Sequence, residues 1–267
     1  MIAFLLICSL AGAAGAILQG MLGIGTGIVV VPLLTFILPQ YGVDQTQAIH
    51  IALATSMAAI ACNSVTALIS HHSRGNIKWS MFKMMLAFSL CGSTLGAVVA
   101  SMTSARYLQA IFGSFLLLTA AYMLLKKHPH DLVDAEPTLS LPKLATGGFS
   151  IGFIASIIGS GGGVLMVPFL HSLKLKMRYA VGTSTLIGFP VAVVGAMTYV
   201  FMGLSELPST NTTIGYLHWP AFLAITSAGM LCTPIGVKLA SVIHTRVLQI
   251  FFAILIVIIG LRMLNHL

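Results

Sequence analysis

Long apolar runs, broken by short polar loops, fill almost the whole chain. Each is close to the roughly 18–25 residues that carry a helix across hydrocarbon. The runs are continuous, not the short alternating segments of a membrane β-barrel. The pattern predicts helices over about 2–22, 27–38, 46–70, 79–101 and 105–125. After a break, a second set is predicted over about 144–159, 162–172, 178–202, 218–241 and 245–264. The break, "KKHPHDLVDAEPTLSLPK" at 126–143, is the one strongly polar stretch, and its prolines and charges mark a linker. The N-terminal "MIAFLLICSLAGAAG" lacks the basic start of a signal peptide and is read as the first membrane helix, cleavage being the alternative.

Composition sharpens this reading. Of 267 residues, 58% are hydrophobic and 7% charged, where a soluble domain carries roughly 25% charged residues. The expected fold class is therefore an all-α polytopic membrane protein. Cys8, Cys62, Cys91 and Cys232 lie in apolar segments without CxxC spacing, and are read as buried thiols. The net charge of +8 needs no nucleic-acid partner, because Lys and Arg at membrane edges report orientation.

The two sets of helices repeat one another. Gly23, Gly25, Gly27, Val31, Pro32 and Leu34 match Gly159, Gly161, Gly163, Val167, Pro168 and Leu170 at an offset of 136. Thr55-Ser56 match Thr183-Ser184 after a shorter loop. Trp79, Phe82, Gly96, Arg106, Gln109 and Phe112 match Trp219, Phe222, Gly236, Arg246, Gln249 and Phe252 at an offset of 140. A register that preserves Trp, Arg, Gln and Pro is not an accident of apolar composition. The expected domains are a first repeat (1–125), a cytoplasmic linker (126–143) and a second repeat (144–267).

Loop charges predict how the repeats face. Loop 39–46 carries Asp44 and no Lys or Arg, whereas 71–79 carries Arg74 and Lys78. In the second half the character swaps: 171–178 carries Lys174, Lys176 and Arg178, and 203–218 carries Glu206 alone. Under the positive-inside rule equivalent loops face opposite sides, with both termini outside. Each half then comprises a re-entrant or broken-helix hairpin plus three transmembrane helices. The halves are expected to be inverted repeats, the architecture of many secondary transporters. Misreporting by a few loop charges is the alternative.

The hairpin tips are "GIGTG" (23–27) and "GSGGG" (159–163). Glycine permits the turn and lets backbone N–H groups approach a ligand. The helix that follows presents its free N–H groups and positive dipole end, an anion site without a basic side chain. The candidate substrate-binding residues are Gly23, Gly25, Thr26, Gly27, Gly159, Ser160, Gly161, Gly162 and Gly163, with the hydroxyl pairs Thr55, Ser56 and Thr183, Ser184. Close helix packing is the alternative for the glycines, and back-bonding to the preceding turn for the hydroxyls. Pro32 and Pro168 are expected near the ends of short helices, ending or kinking them. Gln19, Asn63 and Thr66 have no evident repeat partners and are read as packing contacts.

Several chemistries are missing. Asp44, Asp131, Asp134, Glu136 and Glu206 all fall in loops or the linker, so no predicted membrane helix offers a carboxylate relay or a cation site. Lys83 and Lys238 fall near cytoplasmic helix ends, where snorkelling accounts for them, with attraction of anions the alternative. The nine histidines form no HxxxH or HExxH spacing, and no Walker loop or nucleophile–base set is evident. The expectation is no enzyme, no cofactor and no metal.

The chain resembles the sulfite exporter TauE/SafE family, also called the toluene-sulfonate uptake permease group. The resemblance rests on "GAILQGMLGIGTGIVVVPLL" (15–34), "GFIASIIGSGGGVLMVPFL" (152–170), "ATS" (54–56) with "GTS" (182–184), and "HHSRGNIKW" (71–79). The first copy has Ile24 and Thr26 where a more glycine-rich run is usual. The resemblance implies a bacterial inner-membrane permease for small sulfur-containing anions such as sulfite, sulfonates or thiosulfate. The residues themselves lead to a small-anion carrier, with a lipid bilayer around it and a proton or sodium as the coupling ion if one is used. A channel-like anion pore, and a membrane subunit of an oxidoreductase, are the competing readings.

Overall fold

A computed structural model of the protein describes residues 2–22, 25–125, 140–206, 212–239 and 245–265. Gly23, Ile24 and most of the expected linker lie outside them. The described chain forms α1 (Ile2–Leu22), α2 (Gly27–Ile37), α3 (Gln45–Ser73), α4 (Trp79–Met102) and α5 (Ala105–Leu125). Then come α6 (Leu141–Ile158), α7 (Gly163–Ser172), α8 (Met177–Glu206), α9 (Trp219–Leu239) and α10 (Thr245–Asn265). Seven helices among the described residues are long and apolar enough to cross a membrane. The molecule is an all-α polytopic membrane protein.

Helix starts and stops follow local chemistry. Asp44 caps α3, its carboxylate accepting from the N–H and hydroxyl of Thr46. α6 begins at Leu141, a few residues earlier than its composition suggests, because Pro142 in the first turn has no N–H to leave orphaned. A proline is tolerated there among polar neighbours that otherwise read as linker. Gly159 ends α6 in the left-handed region at φ 65°, its N–H returning to the α6 carbonyls. Pro32 and Pro168 do not end their helices. Each is the sixth residue, counted from Gly27 and Gly163, and the helix runs on to Ile37 or Ser172.

Packing pairs each half with the other. α1 packs on α9, α4 on α6, α5 on α10 and α3 on α8. The two pairings α1–α9 and α4–α6 bring backbones almost into touch. A Cβ on Gly236 would lie 2.3 Å from the Ile17 carbonyl oxygen, and one on Gly96 2.3 Å from that of Phe153. Gly96 and Gly236 are repeat partners, so one small-residue device closes both contacts.

α3 and α8 run antiparallel through the centre. The start of α8 meets the residue before α4, and its end meets the start of α3 through Tyr216. At that second end a hairpin of two-residue strands, β1 (Thr213–Ile214) and β2 (Leu217–His218), pairs Thr213 with His218. It places Tyr216, whose hydroxyl donates to Glu206, in a stack against His50. The polar loop composition gave no sign of these strands. At the opposite end Lys78 and Arg178 both lie 4.7 Å from the Tyr179 ring centre.

Candidate functional site: two glycine tips around a small polar cavity

Both tips are breaks, not continuous helix. α1 ends at Leu22 and α2 starts at Gly27; α6 ends at Ile158 and α7 starts at Gly163. In the second tip Gly159, Gly161 and Gly162 hold φ of 65°, 66° and 85°, which a side chain would strain. The intrahelical ladder of α7 begins only with Leu165 and Met166 donating to the Gly162 carbonyl. That of α2 begins with Val29 and Val30 donating to Thr26. The amides just before these are the ones a helix start leaves without intrahelical partners.

The tips meet. A Cβ on Gly25 would lie 2.0 Å from the Ser160 carbonyl oxygen, and one on Gly27 2.1 Å from that of Gly159. Only hydrogen side chains permit this backbone-on-backbone contact. A clasp from α3 fixes it: the Ser56 hydroxyl donates to the Gly159 carbonyl at 2.9 Å. Behind the second tip, the wholly buried Tyr199 donates to the Ser156 carbonyl at 2.8 Å, and Ser93 bridges Ser156 and the Val191 carbonyl. The end of α6 is thus tied to α4 and α8 by hydrogen bonds, as irregular backbone in a membrane must be.

A cavity of about 20 Å³ lies against the tips, room for roughly one ordered water. Gly25, Gly161, Gly163 and Gly188 form its backbone wall. Gln19, Ser64, Ser160, Ser184 and Thr185 supply polar side chains, and Ile60, at the middle of α3, an apolar one. No lining residue is charged. Several buried polar atoms here have no hydrogen-bond partner among the described residues: the hydroxyls of Thr26 and Ser160, and Oε1 of Gln19. Unpaired polar groups away from water are costly; Asn63, Ser89 and Thr226 carry others in the core, but those of Gln19 and Ser160 belong to residues that line this cavity.

The residues singled out in the sequence divide into four groups. Gly25, Thr26, Gly27, Ser56, Gly159, Ser160, Gly161, Gly163 and Ser184 converge on the tip contact or line its cavity. Gly162 precedes α7 as its cap. Gly23 lies outside the described residues. Thr55 and Thr183 do other work. The Thr55 hydroxyl accepts the N–H of His218 at 3.1 Å, ahead of α9. The Thr183 hydroxyl accepts the N–H of Lys78 at 3.0 Å, ahead of α4. Lys78 and His218 are related by the same offset of 140 as Trp79 and Trp219. One contact is therefore made twice, each time by one half for a helix of the other. Thr55→Val or Thr183→Val should each lower stability by about 1 kcal/mol and leave transport near wild type in the protein that remains folded. Thermal unfolding in detergent, with flux normalised to folded protein, checks both.

Gln19, expected to be a packing residue, lines the cavity together with Ser64, which the sequence reading does not single out. Gln19 Nε2 donates to Ser64 Oγ at 3.3 Å. A lone glutamine in an apolar helix gives no sign of what it faces. Its burial among orphaned polar atoms is visible only once α1 and α3 are packed.

Comparison with known proteins agrees with this architecture. A chain from Haemophilus influenzae named "Probable membrane transporter protein" is 29% identical over 98% of this chain and 99% of its own length. One from Methanocaldococcus jannaschii with a corresponding name is 28% identical, covering 93% of this chain and 91% of its own. A third, from Bacillus subtilis, is 23% identical over 96% and 94%. No solved structure matches the chain. The family model for the sulfite exporter TauE/SafE proteins matches residues 8–263, spanning α1 to α10, and the chain belongs to that family.

Proposed function

We propose that this membrane transporter is a secondary carrier of a small sulfur-containing anion, such as sulfite or an organosulfonate, and not an enzyme. The substrate is held near the bilayer midplane by backbone N–H groups of the two tips, in two halves of inverted topology. The observation that carries this reading is the meeting of two helix starts, α2 and α7, at one buried cavity without a charged side chain. Two helix starts in contact beside one cavity bring two positive dipole ends close together, which favours a negative ligand. Inversion draws support from the exchanged contacts, Thr55 with His218 and Thr183 with Lys78, made at opposite ends of the antiparallel α3 and α8.

The small cavity favours a carrier over an open pore. A tetrahedral anion enters only when the tips and the helices behind them separate, so binding and a conformational change are coupled. Family membership supplies the sulfur chemistry, and the names of the relatives supply membrane transport alone. Purified protein in liposomes should take up labelled sulfite with saturation and counterflow. Flux without saturation would make it a channel. Absence of flux for every member of a panel of sulfite, thiosulfate, sulfoacetate and taurine would overturn the reading.

A further inference from the structure

We infer that the cavity selects a singly charged oxyanion that still carries a proton, and that Gln19 receives the hydrogen bond from that proton. The inference rests on the tip site described above and adds its charge state and a side-chain contact.

Three observations converge. The first is charge. The lining holds backbone, hydroxyls, one carboxamide and Ile60, and no cation. Desolvation cost rises with the square of charge, so a dianion is penalised about fourfold more than a monoanion. Neutral donors and two helix dipole ends suit one negative charge.

The second is the orphaned acceptor. Gln19 is only 9% exposed, its Nε2 is engaged with Ser64, and its Oε1 has no donor among the described residues. A fully deprotonated anion brings acceptors only and would leave that oxygen facing negative charge. A ligand bearing an O–H satisfies it. The remaining oxygens of such a ligand take the hydroxyl of Ser160, 1% exposed and also without a partner, and the amides at the start of α7.

The third is asymmetry. In the repeat register Gln19 corresponds to Ala155, and Ser64, counted from the Thr55–Thr183 match, corresponds to Ala192. Both alanines are fully buried. The fold is thus satisfied by alanine at the equivalent places, and the Gln19–Ser64 pair is an addition on one side of the cavity. Packing alone does not require it.

The test uses the whole detergent-solubilised protein and calorimetric titration with two probes, sulfite and methanesulfonate. Sulfite passes from monoanion to dianion across its second ionisation; methanesulfonate stays a monoanion without an O–H. On the acid side, sulfite should bind more tightly than methanesulfonate. On the alkaline side, its apparent affinity should fall about tenfold per pH unit, following the protonated fraction, while methanesulfonate stays level. Gln19→Leu should weaken acid-side sulfite about tenfold and change methanesulfonate little. Sulfite affinity that ignores pH overturns the inference, as does a parallel fall for both probes or equal weakening of both by Gln19→Leu. The wild-type pH comparison decides the charge state whatever the variant does, and Gln19→Met, of similar length without the carbonyl, decides the Gln19 contact in the same way if Gln19→Leu misfolds. Failure of wild type to bind either probe would instead overturn the sulfur-anion reading beneath it.

Discussion

Gly161→Val is expected to abolish binding and transport while leaving the ten-helix framework in place. Two effects act together. Gly161 holds φ 66°, a region that costs a β-branched residue roughly 1–2 kcal/mol or more. A Cβ there would also lie 2.6 Å from Ile60 Cγ2, on the far wall of the cavity. The side chain must occupy the space where the ligand binds, or push α3 away from the tip. Since the cavity holds roughly one water to begin with, even two methyl groups fill it. The measurement is sulfite uptake by proteoliposomes, set beside circular dichroism of the same preparation. Uptake at the wild-type rate in a folded protein would show that the tip does not touch the substrate. Gly42→Val is a matched control. Its φ is 88°, but a Cβ there meets nothing within 4 Å, so it carries the strain without the obstruction and should keep transport.

Ser56→Ala is the second large effect. It removes the donor to the Gly159 carbonyl and leaves that oxygen unpaired inside the core. An orphaned buried acceptor costs about 1–3 kcal/mol, and here the cost falls on the contact between the tips. The clasped arrangement should lose about that much relative to an opened one, and since the anion needs the tips to separate, apparent affinity should rise about ten- to hundredfold. Ser56→Thr keeps the hydroxyl but adds a methyl beside Gly27, where a Cβ would already lie 2.9 Å from the Ser56 oxygen, so it should only partly restore the clasp. Binding of sulfite by Ser56→Ala at wild-type affinity would remove the clasp from the mechanism.

Much of this architecture was legible in the chain because the signals were long or doubled. The apolar runs forecast the ten helices to within a few residues. The glycine-rich runs before Pro32 and Pro168 located both breaks, since their recurrence at one spacing outweighs the close helix packing that either run alone would suggest. What was illegible depended on partners far along the chain. Thr55 and Thr183 read as ligand donors or back-bonded hydroxyls. Their actual partners, the amides of His218 and Lys78, lie 163 and 105 residues away and carry no side-chain signature. Gln19 read as packing because a single amide in an apolar helix is ambiguous until its neighbours are known. The prolines do not end their helices for a simpler reason: tertiary packing of α2 on α3 and of α7 on α8 carries both short helices past the lost hydrogen bond.

The reciprocal bonds from Thr55 to His218 and from Thr183 to Lys78 bear on biosynthesis. When the ribosome has completed α5, the α4 start still lacks its acceptor and α1 still lacks α9. Neither half is a finished object, so the nascent protein must wait, partly open, until its last third emerges. A chain interrupted at the linker should therefore regain function when its two fragments are made together, and neither fragment should persist alone.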